Sequence, residues 1–98
     1  MAAMGVRELR SQEAQHDSGV ILRSIDRDTM QVEYQGRRLN LPVDRAPGDY
    51  AFYLPADPRW DDGSPIRADT VDLIKNAITE IERHWGAAAE FHTLGSNS

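Results

Sequence analysis

The 98 residues include no cysteine. That excludes disulfides, thiol catalysis and cysteine-bound zinc, and it fits a reducing compartment. Long apolar runs are missing too. Nothing approaches the roughly 20 residues of a membrane span. Met1 to Gly5 leads into Arg7, Glu8 and Arg10 without the apolar segment of a signal peptide. Positive charge is in short supply, with 11 Lys and Arg against 16 Asp and Glu and a formal net charge of −5. Nucleic-acid binders need a cationic surface that displaces phosphate counterions. The balance therefore points away from nucleic acid and from membranes. It points to solubility or to a basic protein partner. The expected location is the cytoplasm. The seven glycines are scattered and form no phosphate-binding loop.

What is present fits one small domain. Residues 1–18 are polar, with a weak apolar pattern at Val6 and Leu9, and read as an extension, flexible or loosely docked. Residues 19–90 carry the ordered signals, and residues 91–98 read as a tail. "VILRSID" is β-branched and leucine-rich, as a strand is. In "TMQVEYQ", Met30, Val32 and Tyr34 alternate with polar residues, which marks a half-buried strand. "QG" at 35–36 is a tight hairpin turn. "RRLNLPV" follows, with Leu39, Leu41 and Val43 on one face. Pro42 has no amide hydrogen, so it belongs at an open edge or where a partner leaves the amide free. "YAFYLP" is the aromatic strand. Beyond it, Val71, Ile74, Ile78, Ile81 and Trp85 repeat every three or four residues, an apolar stripe down one helix face. Asp72, Lys75, Asn76, Thr79, Glu80, Glu82 and Arg83 are assigned to the opposite side. Two helix starts are open: Ser64–Pro65 as cap and first position, or a start near Arg67 that places Asp69 in the first turn. Gly86 is the expected left-handed cap. The predicted fold is α+β: a four-stranded antiparallel meander with one C-terminal amphipathic helix across one face.

Catalytic and metal chemistry finds little footing. His16, His84 and His92 lack metal-ligand spacing. Counted from Asp57, a calcium loop would need a glutamate where Ala68 stands. No serine sits in a nucleophile elbow. The expectation is a protein that is not an enzyme, with no cofactor, no metal and no catalytic residue.

The densest local signal is "PADPRWDDGSPI", residues 55–66, which sets Trp60 among Asp57, Asp61 and Asp62. Trp60 is read chiefly as a core plug, with Trp85 as the other structural tryptophan. A buried tryptophan removes roughly 200 Å² from water, and interface anchoring is the other role its chemistry allows. Asp57, Asp61 and Asp62, with Tyr53 on the strand before them, are the candidate partner-binding residues. The succession "VEYQGRRLNLPV", "YAFYL", "RWDDGSPI" and "DTVDLIKNAITEIERHWG" resembles a small α+β family of bacterial polymorphic-toxin immunity proteins, over about residues 20 to 86. The resemblance implies a protein that binds a cognate secreted toxin domain and neutralises it inside the producing cell by occluding its active site, and the acid excess adds that the toxin domain has a basic surface. Arg67, where a small capping residue is expected, and the long N-terminal segment depart from that pattern. The alternative is a structural or adaptor domain that self-associates, as a homodimer for instance, through an open sheet edge or face.

Overall fold

The computed structural model describes residues 5–94. Seven strands and one helix follow in the order β1 (Val6–Arg10), β2 (Glu13–His16), β3 (Ile21–Asp26), β4 (Thr29–Tyr34), β5 (Arg37–Ala46), β6 (Asp49–Pro55), α1 (Ala68–His84) and β7 (Ala88–Leu94). They form a single sheet in sequence order, β1-β2-β3-β4-β5-β6-β7. Neighbours are antiparallel except β6 and β7, which are parallel.

This corrects the expected four-stranded meander with a C-terminal helix. Part of the polar N-terminal segment is a hairpin, β1–β2, that extends the sheet at one edge. The helix is internal. It is the crossover that a parallel pair requires, and it carries the chain from β6 to a seventh strand reaching into the segment read as a tail. Residues 1–4 and 95–98 of the expected extension and tail lie outside the described residues.

The β4–β5 turn puts both Gln35 (φ 54°) and Gly36 (φ 79°) in the left-handed region, as the twist of a two-residue hairpin demands. Pro42 lies where β5 changes partner. Arg37 to Pro42 pair with β4, and Val43 to Ala46 pair with β6. A residue without an amide hydrogen fits that handover.

One sheet face and α1 enclose the core. Ala14, Leu22, Val32, Leu39, Leu41 and Phe52 come from the strands, and Ile74, Ala77, Ile78 and Ile81 from the helix. The helix begins late, with Arg67 at the N-cap in extended geometry and no side-chain cap. Asp69 in the first turn supplies the favourable charge instead. At the other end, Gly86 (φ 85°) donates to the Arg83 carbonyl and Ala87 to the Glu82 carbonyl. That is the paired hydrogen-bond pattern of a Schellman cap. No helix among the described residues is long and apolar enough to cross a membrane.

Candidate functional site

The loop of residues 56–67 fills the flank of β5 that β6 leaves open. Asp61 donates its backbone N–H to the Arg38 carbonyl at 2.8 Å. The loop closes on itself through Trp60 N–H to Ser64 O at 2.9 Å and Ile66 N–H to Pro58 O at 3.1 Å. Closure turns Trp60 and Ile66 into the core, where they are 6% and 8% exposed.

The loop acids face solvent, but two of them are engaged locally. Arg59 Nη2 donates to Asp57 at 3.0 Å. Asp62 accepts from the hydroxyl and the backbone N–H of Ser64. The Ser64 hydroxyl first, then its N–H, hold the Asp62 carboxyl below its ordinary range, and the Arg37 charge adds to this. Asp61 anchors the loop through its backbone and leaves its side chain exposed. Tyr53 lies elsewhere. It alternates with buried Phe52 and Leu54, so it stands on the sheet face opposite the helix, stacked on His92 with ring centroids 5.4 Å apart. Phe52 and Phe91 stack on the inner side, 5.7 Å apart.

That outer face divides into two halves. Across β2 to β5, cations and acids interleave: Arg23 bonds Glu13 at 2.9 Å and Glu33 at 3.0 Å, and Arg38 approaches Glu33 at 3.6 Å. Burial works against the Arg23 charge, yet hydrogen bonds to Glu13 and Glu33 raise its pKa overall. The half on β5, β6 and β7 is different. Asp44, Ala51 and Glu90 are register partners across the three strands, and so are Ala46, Asp49 and Ala88. Asp44, Asp49 and Glu90 are exposed around small residues, and no Lys or Arg pairs with them among the described residues. The Tyr53–His92 stack borders this surface. It was not visible in the linear sequence, because its acids are dispersed over three strands and only their register unites them.

The inner face ends in a polar cluster. Arg45 shares the inward parity of Leu41 and Val43, and its Nη2 donates to Ser24 Oγ at 2.7 Å and to the Asp26 carbonyl at 3.1 Å. Its guanidinium lies 5.6 Å from the Tyr50 ring centroid. Glu82 is fully buried, and neither of its oxygens has a hydrogen-bond partner. Burial pushes its carboxyl up to about 7, against the opposing pull of Arg45. Placing Glu82 on the solvent side of the helix was therefore an error. It stands four residues after Ile78 and three before Trp85, inside the apolar stripe. Beside the cluster is a groove of about 610 Å³ lined by Glu8, Ser11, Gln12, Ser24, Met30, Arg45, Tyr50 and Trp85. Trp85 Nε1 donates to Glu8 Oε2 at 2.7 Å across its mouth.

The histidines are separate. His16 contacts Ser18 and Glu80, His92 stacks on Tyr53, and His84 is the last residue of α1. No group of three or more His, Asp or Glu side chains among the described residues is arranged to hold a metal ion. The arrangement is one of surfaces: a bare acidic sheet face, an acidic loop at one end of the sheet, and a polar groove at the opposite end of the helix. Compared with protein-family models, curated proteins and solved structures, the chain matches none.

Proposed function

We propose that this protein acts by binding, as an immunity protein that occludes the active site of a cognate bacterial toxin domain. It performs no reaction and uses no cofactor. The observation that carries the reading is the outer face of β5–β7. There Asp44, Asp49 and Glu90 surround Ala46, Ala51 and Ala88 without a neutralising Lys or Arg among the described residues. Flat backbone with small side chains admits close approach by a partner, carboxylates without a Lys or Arg partner attract cationic groups, and an aromatic pair at the margin, whose His92 lies 3.4 Å from Glu90, supplies an anchor. A basic active-site cleft, such as that of a nuclease, has the complementary charge. The molecule exposes 5784 Å², and a standard interface takes about 800 Å² from each partner, roughly one seventh of that. Within this reading Tyr53 belongs to the contact surface. Asp57, Asp61 and Asp62 lie on the loop that follows the same strand, beyond its end.

Co-expression tests this. The protein is produced together with the C-terminal domain of the adjacent gene's product, which this reading expects to be a large secreted protein. The expected outcome is rescue of growth and recovery of a stable complex on pull-down. A cell that dies with the protein fully expressed and folded would contradict the proposal.

One observation favours a second reading, self-association without a toxin. Among the described residues β7 has β6 on one side and no further strand on the other, and an open strand edge is a template for pairing. Light scattering on the purified chain separates the two. A tight dimer that ignores the neighbouring domain supports the second reading.

A further inference from the structure

Three buried polar side-chain atoms lack a partner among the described residues, and all belong to two residues: Arg45 Nε and both carboxyl oxygens of Glu82. Buried polar groups are almost always paired, so unpaired ones of opposite character at the same end of a core call for a physical reason. Arg45 is the charged group whose field acts on Glu82. No hydrogen bond joins them; Arg45 is held instead through Nη2, which donates to Ser24 Oγ, the Asp26 carbonyl and Met30 Sδ. Its Nε edge is left free.

The other titratable groups around the helix end are committed or point away. Glu8 of β1 accepts from Trp85 Nε1 at 2.7 Å. His16 of β2 sits between Ser18 Oγ at 2.9 Å and Glu80 at 2.7 Å. Tyr50 of β6 faces the Arg45 guanidinium. β7 turns Ala89 and Phe91 toward the core and leaves Glu90 and His92 exposed. On the helix itself Glu80, Arg83 and His84 are exposed.

We infer that Glu82 and Arg45 form a proton-gated pair. While Glu82 holds its proton, Arg45 stays docked on Ser24 and Asp26; when that proton leaves to solvent, the guanidinium turns its Nε edge onto the carboxylate and reshapes the groove. A buried carboxylate without a partner is strongly disfavoured, and Arg45 Nε is the one buried side-chain donor among the described residues that also lacks a partner. Arg45 and Trp85 both line the groove, so the exchange alters a surface open to solvent. Burial raises the Glu82 carboxyl to about 7, which sets the gate near neutral pH.

The test is an NMR titration of the intact, isotope-labelled chain across roughly pH 5–9, a window bracketing the expected midpoint. It follows Glu82 Cδ and the Arg45 Nε–H resonance. Both curves should share one midpoint near 7. In Glu82→Gln the Arg45 signal should stay flat with pH. In Ser24→Ala, which loosens the docked state and leaves the charges intact, the Glu82 midpoint should fall. The inference is overturned by an Arg45 signal that ignores pH in the native chain or moves equally in Glu82→Gln. A Glu82 midpoint in the ordinary carboxylate range, or one unmoved in Ser24→Ala, also overturns it.

Discussion

Glu82 contributes to how the fold responds to pH. In the folded chain its carboxyl is raised from 4.5 to about 7, so between those values the folded state binds more protons than the unfolded one. The Glu82 contribution to stability is therefore greatest below about 4.5. It falls as pH rises toward 7 and levels off above. A shift of this size corresponds to roughly 3 kcal/mol. Glu82→Gln should flatten that dependence and leave the variant more stable than the native chain above pH 7. Urea unfolding at several pH values checks it, and parallel curves for the two proteins would refute the assignment. At this scale the sequence was half legible. Trp60 was read as a core plug from its size alone, and it is buried. Glu82 was misread because its residue type outweighed its position in the 3–4 repeat. Arg45 was not singled out, although two residues on from Val43 along an alternating strand is the inner face.

At the scale of elements, legibility followed apolar contrast. β3 to β6 and α1 alternate or repeat strongly, and their locations were readable to within a few residues. The edge strands did not announce themselves. In β1 only Val6 is less than exposed, and in β2 only Ala14 is buried. Strands with so little apolar surface resemble loops in sequence. β7 is marked by small alanines and by Phe91, too weak a pattern to separate a strand from a tail. Its parallel pairing also depends on the helix returning the chain to the same end of β6, which no local signal encodes. The end of α1 was clearer, because Gly86 adopts a backbone conformation that L side chains avoid. Gly86→Ala places a Cβ where there is space but where φ is 85°. The substitution should cost about 1 kcal/mol through backbone strain alone. Thermal unfolding reads this directly, and an unchanged melting temperature would mean that the Schellman cap contributes nothing.

For the whole molecule, the charge balance was legible and its placement was not. A net charge of −5 implied an acidic surface. The linear cluster at Asp57, Asp61 and Asp62 drew attention to one loop, yet folding places Arg59 beside Asp57, and Ser64 and the Arg37 charge beside Asp62. The outer face of β5–β7 gathers Asp44, Asp49 and Glu90 from distant positions, and no Lys or Arg among the described residues pairs with them. Unpaired charges on a rim mainly tune association rate and salt dependence, whereas desolvated ones govern dissociation.

The most direct measurement is the affinity of the purified protein for the neighbouring gene's C-terminal domain at several salt concentrations. The native chain is compared with the triple variant Asp44→Asn, Asp49→Asn, Glu90→Gln. Exposed carboxylates contribute little to stability, so the variant should remain folded. The account predicts at least a tenfold loss of affinity, about 1.4 kcal/mol, slower association and a flatter salt dependence. A folded variant that binds with native affinity and native salt dependence would contradict it.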